Sequence, residues 1–159
     1  MVISVGANKK RILAVLVLIA LAVAAFFLIP DQPEQPVYSA ATNEERIAFL
    51  ASFGWTVEEE PMDVREVIIP AEFSDVYTAY NDMQCAQSFD LKPYAGEKCT
   101  QYRYIVTNYP ETDGTVIATL LIFGDRVIGG DLASDVADGF MHGFAPSSEP
   151  YRMPEGAAS

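Results

Sequence analysis

The sequence predicts an α+β domain behind a single N-terminal transmembrane helix. The domain is expected to be a twisted antiparallel meander packed by one or two helices. Three observations predict this. Ile12 to Ile29 is an unbroken apolar run. Two later segments carry apolar residues at helical spacing, each opened or closed by helix-terminating residues. Three strand-like runs then follow one another with only turns between them, an order that favours a sheet with helices packed on one face.

The apolar run ILAVLVLIALAVAAFFLI contains eighteen residues and no polar side chain. As a helix it is about 27 Å long at 1.5 Å per residue, close to the hydrocarbon thickness of about 30 Å. A buried helix of a soluble protein would normally carry a polar stripe. Lys9, Lys10 and Arg11 precede the run, and Asp31 and Glu34 follow it. Positive charge stays on the cytoplasmic side. Residues 1–11 are therefore expected in the cytoplasm, residues 12–29 in the membrane and the rest outside, which places the chain in the cell membrane as a single-pass protein. A cleavable signal peptide is the rival reading. Its apolar region is usually shorter, with a small-residue cleavage site close behind; here the first such site is Ser39-Ala40-Ala41. Asp31-Gln32-Pro33 and Glu34-Gln35-Pro36 form a tandem suited to an extended spacer, so residues 30–41 read as a linker.

The domain proper is expected over residues 42–144. Thr42 and Glu45 have capping-box spacing. Ile47, Leu50, Ala51 and Phe53 supply an apolar face, and Gly54 is placed to close the helix. Trp55 to Val57 reads as a short strand and Glu58-Glu59-Glu60 as a solvated loop. Glu66 to Ile69 reads as a strand ended by Pro70. A second helix is expected from Glu72 to Gln87, with Phe73, Val76, Tyr77, Tyr80, Met83 and Gln84 on one face. The meander follows: Cys99–Asn108, Val116–Phe123, a Gly124-Asp125 hairpin turn, and Arg126–Gly130. Gly129 and Gly130 suit a bulge or a close backbone approach. From Asp131 to Phe144 a short helix and a looped return both fit. Residues 145–159, rich in Ser, Pro, Gly and Ala, read as a disordered tail.

Charge excludes one class of function. All 22 acidic residues and seven of the ten basic ones follow Pro30, so that region carries a net charge of −15. Such a surface is repelled by nucleic acid. Two cysteines, Cys85 and Cys99, permit a disulfide in an exported domain or stand as free thiols. His142, with a cysteine or carboxylate brought to it by the fold, is the candidate for acid–base or nucleophilic chemistry; beside two glycines and two phenylalanines it also fits a structural turn residue. Asp131, Asp135 and Asp138 would share a face if their segment is helical and would then suit a cation, against a solvated acidic turn as the plainer reading. No metal-ligand spacing, phosphate loop or cofactor motif is present.

Several segments together carry a family resemblance. They are Phe49-Leu50-Ala51-Ser52-Phe53-Gly54-Trp55, Ile69-Pro70-Ala71-Glu72-Phe73 on to Tyr80-Asn81, and Gln87-Ser88-Phe89-Asp90-Leu91 with Tyr94 and Gly96. Tyr102-Arg103-Tyr104, Asn108-Tyr109-Pro110, Val127-Ile128-Gly129-Gly130-Asp131 and Asp138-Gly139-Phe140-Met141-His142-Gly143 continue the pattern. The chain resembles the bacterial domain of unknown function 4830 family, found mainly in clostridial lineages. The resemblance implies a membrane-anchored envelope protein and brings no activity, cofactor or catalytic residue with it.

Three functional readings follow, in order. The first is an envelope module that senses or binds a protein or peptide, using Tyr102 and Tyr104, since tyrosine suits interfaces; the same alternation equally fits core packing against the second helix. The second is a small-ligand or cation site at Asp131, Asp135, Asp138 and His142. The third is an enzyme working through His142.

Overall fold

A computed structural model describes residues 37–150 apart from 111, 113, 138, 147 and 149. The expected cytoplasmic segment, the membrane helix at residues 12–29 and most of the linker lie outside the described residues. So does the tail from residue 151 onward. Among the described residues no helix is long and apolar enough to cross a membrane.

The first helix, α1, spans Asn43–Ser52. Thr42 caps it: its hydroxyl accepts from Glu45 N at 3.2 Å, and the Glu45 carboxylate accepts from Thr42 N at 3.2 Å. Two of the orphan donors of a helix start are thereby satisfied. Gly54, at φ +91°, turns the chain out of the helix. Trp55–Val57 forms a single bridge, Val57 to Val106, instead of a strand. Strand β1 then runs Asp63–Ile68. Helix α2 spans Asp75–Ala86, starting three residues later than expected because Ser74 is its cap. A 3-10 turn at Lys92–Tyr94 leads into β2, Lys98–Val106. Strand β3 is Val116–Phe123. Strand β4 runs Arg126–Ser134, and β5 is Met141–His142. All neighbours are antiparallel and the order is β1-β2-β3-β4-β5, a pure meander.

Two expectations are corrected. The segment from Asp131 is neither helix nor loop at its start. It continues β4 to Ser134, because Asp131, Leu132 and Ala133 pair with Thr119, Ala118 and Ile117. The helices also lie on opposite faces of the sheet, not on one. Val116, Ala118, Leu120 and Ile122 of β3 pack with Phe49 and Leu50 of α1. Leu121 of β3 packs with Ile69, Leu91, Cys99 and Ile128, and with Tyr77 and Tyr80 of α2. Successive strand residues point to opposite faces, so an all-apolar β3 requires cover on both.

The glycine pair lies opposite Leu120 and Leu121, beside the point where the register slips between Leu121 and Ile122. A side chain on Gly130 would run into Thr119 O and the Phe144 ring. On the other face Gln84 of α2 sends its amide into the space that a side chain on Gly129 would fill. Its Oε1 accepts from Gly130 N at 2.8 Å and its Nε2 donates to Gly130 O at 3.0 Å. This buried pair of hydrogen bonds pins α2 to β4.

Candidate functional site

Helix α2 is too short to roof its whole face of the sheet. Beyond it the sheet forms the floor of a groove of about 640 Å³, walled on one side by Val76, Tyr77 and Tyr80. That volume falls within the range typical of small-molecule pockets, about 300–1,000 Å³.

Strand register sets Arg103, Thr119 and Asp131 of the groove in one line, which Asp63 continues outside it. Asp63 pairs with Arg103, Arg103 with Thr119, and Thr119 with Asp131. Directly opposed residues share a face, so these four side chains cross four strands as a single row. The next row holds Arg65 opposite Gln101, joined by an Arg65 Nε to Gln101 Oε1 hydrogen bond of 2.7 Å. Beside these rows Ile117, Leu121, Ala133 and Met141 give the groove an apolar wall.

Asp131 is the buried end of the line, 4% exposed. The Tyr80 hydroxyl donates to its Oδ2 at 2.9 Å, and Oδ1 has no hydrogen-bond partner among the described residues. Burial raises its pKa from 3.8 to about 6; the Tyr80 hydrogen bond and the charge of Arg103 act in the opposite direction. A charged carboxylate is costly where water is excluded. Burial, then the charge of Asp131, raises Tyr80 well above its ordinary value. Burial pushes Tyr77 up to about 12. Both hydroxyls therefore stay protonated as donors. Arg103 meets Asp63 only at 3.9 Å, beyond hydrogen-bond length, and its side chain is 29% exposed. A guanidinium has five N–H donors, so Arg103 has several to offer.

The residues singled out from sequence fall in different places. Tyr104 is fully buried on the α1 face. Its hydroxyl accepts from Arg46 Nε at 2.9 Å and donates to Asn43 at 2.8 Å. Tyr102 is half-buried beneath the Arg46 guanidinium, 3.9 Å from its ring centroid. The pair is scaffold around a buried arginine, so Tyr104 presents no surface to a partner. Asp131 lines the groove and Asp135 stands at its rim; Asp135 Oδ1 accepts from Thr115 N at 2.7 Å. Asp138 lies outside the described residues. Because Asp131 is on a strand, the expected helical array of carboxylates does not form, and among the described residues no three potential ligands gather as a metal site.

His142 is on the other face. It pairs with Leu132, part of the α1-side core. Its Nδ1 lies 2.6 Å from Gly143 O. A carbonyl only accepts, so Nδ1 carries the proton and Nε2 accepts from the Tyr109 hydroxyl at 2.8 Å. Its ring extends a stack of Trp55, Tyr109 and Phe140. The sheet separates it from Asp131 and Cys99. Cys85, exposed on α2, and Cys99, buried beneath it, are free thiols and form no bridge.

Sequence reading missed Arg65, Tyr80, Arg103 and Thr119 as site residues. Alternation places Arg103 on one face of β2. The line across the sheet depends on register, and the Gly129-Gly130 pair that suited a bulge does not by itself tell which residues face one another across the strands.

A family model described as domain of unknown function (DUF4830) matches residues 49–132. That span contains the complete row from Asp63 to Asp131 and excludes His142. No curated protein and no solved structure matches the chain.

Proposed function

The chain belongs to this family of domains of unknown function, and from that premise we propose that it is a membrane-anchored binding module. Its domain sits outside the cytoplasm and takes a small ligand in the α2-side groove, with no chemistry performed on it. The carrying observation is the half-roofed sheet face: an apolar hollow with one line of charged and polar side chains converging on it. That is the make-up of a ligand pocket. Separation of His142 from the thiols and from Asp131 argues against an enzyme. The anchor rests on Ile12–Ile29 behind Lys9-Lys10-Arg11.

The groove reading is tested with full-length protein in neutral detergent, labelled at its methyl groups and titrated with the small-molecule fraction of the producing cells. Shifts at Ile117, Ala133 and Met141 that vanish in a groove-filling Ala133→Trp variant support it. Silence at all three methyls ends it. Alkaline extraction of membranes tests the anchor: release of the intact chain into the soluble fraction would remove that part.

A second reading has its own observation. β1 is an edge strand, and Met62, Val64 and Ile68 on and beside it are 48%, 49% and 60% exposed. An exposed edge accepts a peptide as an added strand. This is the envelope protein or peptide partner in structural form. Val64→Pro blocks strand addition there and leaves the groove floor intact; a peptide ligand that binds this variant unchanged does not use the edge.

A further inference from the structure

The groove's charges restrict its ligand, given the reading of it as a binding site. Asp131 is a buried carboxylate with one hydrogen-bond donor, Tyr80, and its second oxygen is open. A hard cation needs six or more oxygen ligands, and three candidate ligands do not gather here among the described residues. A simple anion would meet Asp131 at close range. An uncharged apolar ligand would leave Arg103 and Asp131 desolvated without partners, which is costly. A ligand carrying both signs suits both ends of the row.

The spacing supports this. Arg103 and Asp131 lie on strands β2 and β4, two strands apart, so about 9–10 Å separates their backbones at 4.7–4.9 Å per strand. Thr119 stands between them. Side chains reaching inward from both ends leave room for a ligand with its two charged groups a few bonds apart. We propose that the groove binds an α-amino carboxylate with an apolar side chain, either a free amino acid or a short peptide, its ammonium on Asp131 and its carboxylate on Arg103. The side chain lies along Ile117, Ala133 and Met141. Tyr80 holds the Asp131 carboxylate in place, and the Asp63 pairing orients Arg103 while leaving donors free.

The test uses full-length protein in neutral detergent and four probes: L-leucine, leucyl-leucine, N-acetyl-leucyl-leucine and leucyl-leucine amide. Binding is read by calorimetry and by the methyl resonances of Ile117 and Met141. A hydrogen bond to a charged group is worth more than a neutral one, so removing the ammonium or the carboxylate is expected to weaken binding about tenfold or more. Asp131→Asn is expected to erase the difference between leucyl-leucine and its N-acetyl form. Arg103→Gln is expected to erase the difference between leucyl-leucine and its amide. The stronger of leucine and leucyl-leucine identifies the source. Equal binding of all four probes at these methyls overturns the zwitterion and leaves the groove standing as a site. Failure of all four, with a cellular small molecule still shifting the same methyls, does likewise. Failure of every ligand overturns both.

Discussion

A carboxyl group buried away from water prefers to keep its proton, and Asp131 shows what that preference costs. Its pKa in the folded chain is about 6 against an ordinary 3.8. The raised value means that protonation favours the folded state. This stabilisation is complete below pH 3.8 and is lost as pH rises through about 6. Two units correspond to about 3 kcal/mol at 1.36 kcal/mol each. The groups that share the groove with it are Tyr77 and Tyr80 from α2, Arg65 and Arg103 from β1 and β2, and Asp135 after β4. Asp131→Asn keeps the Tyr80 hydrogen bond and removes the charge. It is expected to stabilise the protein by up to about 3 kcal/mol at pH 8 and to be near neutral at pH 3.5, as read from chemical denaturation at the two pH values. Equal effects at both would contradict the account. A ligand ammonium offsets the same cost, which ties this residue's instability to the proposed binding. Arg46 is the counterpart on the α1 face. It is buried, and it donates to Tyr104 and to Ala40 O at 2.9 Å. Arg46→Met leaves that carbonyl and hydroxyl short of a donor. An unsatisfied buried group costs about 1–3 kcal/mol, and a fall in urea midpoint of matching size is expected. Asp131 was singled out in the chain as a binding candidate, but within an array of carboxylates; the burial of Arg46 was not legible. A charged residue beside Ile47 reads as a solvated face until Tyr102 and Tyr104 are known to lie above it.

Elements were more legible than residues, because their signals are local. The capping box at Thr42 and Glu45, the Gly124-Asp125 turn and both ends of β3 were all readable from residues adjacent in sequence. Thr42→Ala removes the cap's acceptor and is expected to cost about 1 kcal/mol, measured as a lower melting temperature with an unchanged fold. The second half of β4 was not legible. Asp131-Leu132-Ala133-Ser134 has no β-branched residue, and its strand form comes from pairing with β3. Gly130 is its critical position. Gly130→Ala places a methyl against Thr119 O and Phe144 and also disturbs the Gln84 clamp. Overpacking of this kind costs about 1–3 kcal/mol. Exchange of the β4 amide protons is expected to accelerate before that of β2, since the clamp acts on β4. Uniform acceleration would show that the clamp does not hold β4 locally.

For the whole molecule, the spacing and order of segments predicted the α+β class and the meander, but not which way each helix folds back. An amphipathic helix needs an apolar face to cover, and β3 offers two. Nothing in the sequence of α2 shows which of them it takes. Placing α2 opposite α1 has a functional consequence. A twelve-residue helix on a five-stranded sheet leaves part of that face open, and register then sets Asp63, Arg103, Thr119 and Asp131 across the opening. Tyr102 and Tyr104, for which an interface and the core both fitted, pack on the opposite face against α1 and not against α2. The groove and its row are thus products of topology, assembled from residues spread between positions 63 and 131 with no motif to join them. The most direct test is native mass spectrometry of the full chain released gently from its own membranes. A small bound mass on the natural protein that is absent from Ala133→Trp is the predicted result. A bare protein in both preparations, or the same bound mass in both, would contradict the groove as the binding site.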